Sequence, residues 1–241
     1  MNDEVTVRVD PHVHSEGSYD GSEPVESILE QAADVGLDAV AITDHDTIAE
    51  SRRAADLASD FGLVGVPGVE VSTRHGHLLA LGVETVPPIG EPFDETVAAI
   101  RDAGGAAIVP HPFQRSRHGV RKRNLTDCDA LEVYNAWLFT GYRNRRARRF
   151  AARREFPGVA GSDAHSAEWV GRAYTEVEID GVGAPTRVDT EDIVGALRDE
   201  PAALHGRHAP VHRSAYHYAK CAVRKTGYAA RRGAGAAVSL L

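Results

Sequence analysis

The sequence predicts an α/β fold, a TIM-like barrel of about seven strands. Three observations point there. Short β-branched runs alternate with helical periods through residue 200. The strands are nearly continuous apolar runs, the pattern of a parallel sheet covered by helices. No Gly-rich phosphate loop of the dinucleotide or Walker type follows any strand, which weakens the open doubly wound alternative. A chain of 241 residues suits one large domain or two small ones and can bury most of its apolar surface.

The elements follow in order. Val5–Val9 reads as a strand and Glu23–Val35 as a helix, with Pro24 suited to its first turn. Ala39–Thr43 is a buried-type strand and Thr47–Phe61 a helix. Val64–Val71 and His77–Val83 are strands, with Gly76 marking a tight connection between them. Asp94–Ala103 is a helix closed by Gly104 and Gly105, and Ala107–Val109 is the next strand. Strand Ala130–Tyr134, helix Thr140–Arg154 and strand Val159–Gly161 continue the alternation. Helix Thr190–Arg198 starts at Thr190 as N-cap, with two acids in its first turn. The reading is a barrel over 1–200 and a basic C-terminal extension over 201–241.

Charge is unevenly placed. Residues 1–113 hold 21 acids against 5 bases, residues 114–154 hold 12 bases against 3 acids, and residues 202–241 hold 7 bases and no acid. An acidic body with two basic segments fits an anionic substrate, and it also fits simple neutralisation. The two cysteines, Cys128 and Cys221, exclude a disulfide scaffold. No basic-then-apolar signal pattern opens the chain and no apolar run reaches the ~20 residues of a membrane span. A soluble, cytoplasmic protein is expected, with no membrane partner.

The chemistry lies where histidines and acids fall, just past the apolar strands, where α/β barrels place active sites. The first strand ends in Asp10-Pro11-His12-Val13-His14; residues two apart in extended chain point the same way, so His12 and His14 can share one ion. Asp10 is expected to hydrogen-bond a ligand ring. Asp20 follows in a turn. Thr43-Asp44-His45-Asp46 closes the second strand, where helix capping explains one acid but not His45. Glu70 stands among apolar neighbours in the third strand, and a carboxylate there wants a cation. Of His75 and His77, His77 lies nearer its strand, while His75 is expected to face solvent. His111 is locked between Pro110 and Pro112. Asp163 and His165 repeat the spacing of two. Each alone has a structural reading; together they imply two or three divalent metal ions, and mixed N/O ligation points to Mn, Zn or Fe.

These motifs resemble the PHP (polymerase and histidinol phosphatase) family over roughly residues 5–180, and most nearly its stand-alone phosphoesterases of the nucleotide bisphosphatase and 5′–3′ exonuclease type. The resemblance implies a distorted TIM-like (βα)7 barrel. It places His12, His14, Glu70 and Asp163 on a first metal, Glu70, His77 and His111 on a second, and Asp20, His45 and His165 on a third. The long insertion that some such nucleotidases carry between strands four and five is missing. The implied activity is hydrolysis of a phosphate ester: a nucleotide bisphosphate, an oligonucleotide 5′ end or a small phosphomonoester. A metal-bridging hydroxide would be the nucleophile.

Arg115 and Arg172 are candidate clamps for a second phosphate, weighed against ordinary surface solvation. His118, in a basic run, reads as a non-ligand, and Glu132 as support for the metal shell or a buried ion-pair partner. The Arg-rich stretch 143–154 is a solvated helix face or a nucleic-acid track. Two rival functions stay open: an amidohydrolase-like metal hydrolase of a non-phosphate substrate, and a non-catalytic metal-binding module for nucleic acid or a partner.

Overall fold

In a computed structural model of the chain, the described residues are 4–114, 118–138, 141–184, 187–199 and 201–208. They form one sheet of nine strands: β1 (Val5–Val13), β2 (Ala39–Ile42), β3 (Val64–Thr73), β4 (Gly76–Leu81), β5 (Ala106–Val109), β6 (Ala130–Asn135), β7 (Gly158–Gly161), β8 (Ala173–Ile179) and β9 (Ala203–Gly206). The helices are α1 (Val25–Asp34), α2 (Ala49–Leu57), α3 (Phe93–Asp102), α4 (Gly141–Arg154) and α5 (Thr190–Arg198). The strand order is β7-β6-β5-β4-β3-β2-β1-β8-β9.

The two ends of this sheet approach each other. The Asp163 N–H donates to the His12 carbonyl at 2.8 Å, and the His14 N–H to the Ala164 carbonyl at 2.8 Å. The Thr175 hydroxyl accepts from the Ala160 N–H and donates to its carbonyl, tying β8 to β7. The sheet is a nearly closed barrel, as the sequence predicts. It is not uniformly parallel, however. β1/β2, β2/β3, β5/β6 and β6/β7 are parallel, whereas β3/β4, β4/β5, β1/β8 and β8/β9 are antiparallel.

The reversal at β4 has a plain cause. Only Arg74 and His75 separate β3 from β4, and a two-residue link joins antiparallel strands. Ser72 therefore sits opposite His77, so the start of β4 lies at the same rim as the end of β3. Residues 82–90 then climb back to that rim, where the Gly90 N–H donates to the Ser72 carbonyl and the Arg74 N–H to the Glu91 carbonyl. Helix α3 descends from there, and β5 ascends again to His111. His75 is half-buried rather than solvent-facing; its Nδ1 accepts from the Phe93 N–H at 3.2 Å and caps α3.

The opposite end of the barrel is closed by α5. Ile193, Val194 and Leu197 are buried against the barrel-lining side chains of β1, β3, β4 and β5. The Arg198 guanidinium donates to the Gly104 and Gly105 carbonyls just below β5. The N-cap of α5 is Asp189 rather than Thr190, in a reciprocal capping box with Asp192. β8 and β9 lie outside the expected strand set, and β9 falls within the segment read as an extension; residues 209–241 lie outside the described residues. Among the described residues, no helix is long and apolar enough to cross a membrane.

Asp10 locks the barrel seam. Its carboxylate accepts from the backbone N–H groups of Ser162 at 3.0 Å, Gly171 at 2.9 Å and His12 at 3.4 Å. It therefore bonds backbone, not a ligand ring as expected from its position. Burial pushes it up to about 6 against those hydrogen bonds. Asp10→Ala would strand three buried donors and cost about 2–4 kcal/mol. Thermal melts should show Tm about 5–15 °C lower; an unchanged Tm would contradict this role.

Candidate metal centre

All nine sequence-predicted ligands meet at one rim of the barrel, and all nine are buried. β1 delivers His12 and the residue after it, His14; the turn beyond brings Asp20. Residues following β2, β5 and β7 supply His45, His111, Asp163 and His165, while Glu70 lies within β3 and His77 opens β4. His111 and Asp163 hold left-handed backbone, with φ of 30° and 52°. Such strain in non-glycine residues gathers at functional sites.

The first group is tightly framed. His12 Nε2 and His14 Nε2 are 3.2 Å apart. Glu70 Oε2 lies 3.4 Å from the former and 3.2 Å from the latter, and Asp163 Oδ1 lies at 3.5 Å and 3.4 Å. Four ligand atoms about 2.0 Å from one tetrahedral ion stand about 3.3 Å apart. Two imidazole nitrogens facing each other and sharing the same two carboxylate oxygens are spaced as the ligands of one cation would be.

Glu70 joins this group to a second. Its Oε1 lies 2.6 Å from His77 Nδ1 and 3.1 Å from His111 Nε2. On the outer side, Asp20 Oδ2 lies 2.9 Å from His45 Nε2 and 3.5 Å from His165 Nε2. His45 also faces Glu70 Oε2 at 3.3 Å through Nδ1. Trios with metal-ligand spacing recur through the cluster: His12/His14/Glu70, His14/Asp20/His45 and His45/Glu70/His77 among them. The donor set is imidazole and carboxylate, without thiolate, and suits divalent metal ions.

Electrostatics agree with a cation-binding set. Burial alone would raise the carboxyls, but the surrounding histidines outweigh it and hold Glu70, Asp20 and Asp163 well below the usual range. Burial alone would lower His14, but Asp20, Asp163 and Glu70 push it up to about 10. His12 is likewise held high, chiefly by Asp163 and Glu132 against burial.

Several supporting residues surround the ligands. Glu132, at β6, accepts from the His111 N–H at 2.6 Å through Oε2 and holds His12 Nδ1 at 3.0 Å through Oε1. Gly161 makes room for it, since a Cβ there would stand 2.7 Å from Glu132 Oε1. Asn135, absent from the sequence reading, donates from Nδ2 to Glu132 Oε2 at 2.8 Å and to Asp163 Oδ2 at 3.0 Å. A polar residue ending an apolar strand beside Glu132 was the available signal. Neither acid flanking His45 caps a helix: Asp44 takes the N–H and hydroxyl of Ser15, and Asp46 takes the Ser72 N–H at 2.7 Å. Both fasten neighbouring loops around the centre. Replacing Glu132 by Gln would leave the His12 ring poorly oriented. A 10–100-fold weaker affinity for divalent metal is expected, read by chelator competition; unchanged affinity would count against this role.

The arginines fare differently. Arg115 lies outside the described residues. The Arg172 guanidinium packs 4.2 Å over the Trp169 ring, which meets Trp137, itself 5.3 Å from the His165 ring. Among the described residues, no hydrogen bond or ion pair joins the Arg172 head to the ligands.

A nearly closed α/β barrel with a multi-ligand His/Asp/Glu centre at one rim defines a class of metal-dependent hydrolases. Comparison with known proteins makes the assignment more specific: residues 10–124 match the PHP domain and residues 141–200 the PHP-associated model. An uncharacterized protein of Methanocaldococcus jannaschii is 32% identical over 152 residues, 58% of this chain and 89% of that protein. The chain belongs to the PHP family. A phosphoribosyl 1,2-cyclic phosphate 1,2-diphosphodiesterase of Eggerthella lenta is 45% identical over 85 residues, about a third of each chain (33% and 32%). Among solved structures, a two-domain protein of Bacteroides vulgatus, described as containing a predicted PHP-like metal-dependent phosphoesterase, superposes with a TM-score of 0.70. It is 18% identical, over 85% of this chain and 66% of that one.

Proposed function

We propose that this protein is a metal-dependent phosphoesterase that hydrolyses a phosphate ester: a nucleotide bisphosphate, an oligonucleotide end or a small phosphomonoester. One observation carries the reading. The Glu70 carboxylate faces His12 and His14 through one oxygen and His77 and His111 through the other, so this one side chain would serve two ion sites. In this reading His12, His14, Glu70 and Asp163 hold a first ion, Glu70, His77 and His111 a second, and Asp20, His45 and His165 a third.

Bound divalent ions supply Lewis acidity towards phosphate oxygens and bring the pKa of water towards neutrality. The chain supplies fixed geometry. Glu132 orients the His12 ring and the His111 backbone together, Asn135 holds the free oxygen of Asp163, and Tyr19 stacks on His45 with ring centroids 4.8 Å apart. Ligands held this rigidly need little reorganisation when charge develops at phosphorus.

The test is Mn²⁺-supported phosphate release from a 3′,5′-bisphosphonucleotide, a short 5′-phosphorylated RNA and histidinol phosphate, beside a panel of amides. Release that His12→Ala abolishes is the expected result. Amide turnover without phosphate release would favour the amidohydrolase-type reading instead.

A specific observation favours an extended anionic substrate. The acids of residues 121–154 are engaged elsewhere: Asp127 and Asp129 by Arg101, and Glu132 in the centre. The Arg and Lys side chains of that segment make no ion pair among the described residues. Arg146 and Lys122 lie over the Phe113 ring, two residues beyond His111, and Arg154 over Phe150. Both rings are buried, so phosphates rather than bases would be gripped. Single-stranded RNA should therefore bind in a salt-dependent way. Changing Arg146, Arg149 and Arg153 to Gln should lower the slope of log K against log salt by about 2. An unchanged slope would remove this face from the substrate path.

A further inference from the structure

A seventh histidine touches the centre from outside the ligand set. His118 Nδ1 lies 3.1 Å from His77 Nε2, and the two rings meet edge-on, with centroids 4.6 Å apart and planes at 83°. The pair is joined a second time through the backbone, because the His77 N–H donates to the His118 carbonyl at 2.9 Å. The segment carrying His118 is itself fastened by the Phe113 N–H, which donates to the Val120 carbonyl at 3.1 Å. Gly76 allows the approach: with φ of 131° and no side chain, it lets the backbone at Gly119 and Val120 lie where a Cβ would stand 2.7 Å from the Val120 nitrogen. The contact is thus built into the fold at both residues.

The chemistry follows from which nitrogen of His77 faces which neighbour. Nδ1 points to Glu70 Oε1, the oxygen shared with His111 Nε2, so Nδ1 is the atom positioned to hold the second ion. A ligating imidazole carries its proton on the other nitrogen and gives it to an acceptor that fixes tautomer and ring orientation. For His12 that acceptor is Glu132. We propose that for His77 it is His118: a positioning residue whose neutral Nδ1 accepts the proton of His77 Nε2 and sets the second ion site. This rests on the reading of Glu70, His77 and His111 as ligands of one ion.

The experiment compares wild-type protein with His118→Ala, His118→Asn and His77→Ala. Mn²⁺ stoichiometry and affinity are measured by calorimetry, and the His77 tautomer by ¹⁵N NMR of the Zn²⁺-loaded chain. Asn is chosen because its amide oxygen reaches the place of Nδ1 yet is a poor ligand for such ions. Expected are loss of one ion in His77→Ala, a 10–100-fold weaker second ion in His118→Ala, and recovery to within about threefold of wild type in His118→Asn. The wild-type His77 should show the Nε2–H tautomer. Unchanged affinity in His118→Ala, beside a loss in His77→Ala, would overturn the proposal and leave the centre intact. Asn failing as Ala does, with both folded by circular dichroism, would make His118 a direct ligand and overturn it equally. A wild-type chain that binds no divalent ion would overturn both this proposal and the reading of the centre.

Discussion

Glu70→Gln should abolish turnover and reduce the tightly bound Mn²⁺ to one ion per chain or none. Through its two oxygens Glu70 faces five imidazoles, with His12, His14 and His45 near Oε2 and His77 and His111 near Oε1. The amide keeps the shape of the side chain but removes its charge and one ligand oxygen. Losing about 4 kcal/mol of stabilisation of the developing charge corresponds to about 10³-fold in rate. The substitution should leave the fold standing, since Glu70 sits at the rim and the core clusters are apolar. Activity within tenfold of wild type, with the full metal complement, would mean that Glu70 bridges nothing.

The second large effect is on pH. In the metal-free centre Asp20, Asp163 and Glu70 hold the His14 proton up to about 10, against the opposing effect of burial. An ion that uses His14 as ligand must expel that proton. Apparent affinity should therefore fall as pH falls, about tenfold per unit for each proton displaced, through the whole range below about 10. From pH 8 to pH 6 one proton corresponds to about 100-fold, and more if His12 also gives one up. The sign is opposite for the metal-free protein. There the raised His14 contributes stability that is fully present below its unfolded value of about 6.5 and is lost as pH rises through about 10. Chelator competition at pH 6, 7 and 8 reads the first effect, and melts of chelated protein between pH 8 and 10.5 read the second. An affinity flat in pH would show that the ion does not compete with His14 protons.

Much of this centre was legible in the sequence, for a physical reason. Barrel strands point their ends at one rim, so a His or acid placed just past an apolar run has one destination; His12, His14, His45, His111, Asp163 and His165 all follow that logic. Glu70 and His77 were readable from their positions within or beside strands. Their relation was not, because it depends on β4 running antiparallel to β3. The two-residue Arg74-His75 link carried that information, since no parallel crossover fits in two residues. β8 escaped notice because Ala173–Ile179 alternates buried with partly or fully exposed side chains, unlike the continuous buried runs of β2, β4 and β5. β9 spans only four residues.

The supporting groups were harder to read, since they act across long sequence separations. Asp10 reaches Ser162 and Gly171, and Glu132 reaches His12; nothing local to those residues names the partner. The short spacing of Asp10 from His12 suggested a side-chain contact, yet the register of β1 shifts between Asp10 and Val13, and the carboxylate goes to the seam. His118 looked like one more residue of a basic run, and only the return of its loop onto β4 brings it to His77.

One rim of this barrel should hold bridged divalent ions. Anomalous diffraction at the manganese edge, from crystals grown with Mn²⁺, tests it most directly. A peak enclosed by His12, His14, Glu70 and Asp163 is expected, and a second enclosed by Glu70, His77 and His111, with Glu70 between them. Ordered crystals with no anomalous peak among these side chains, or with ions bound only elsewhere on the surface, would contradict it.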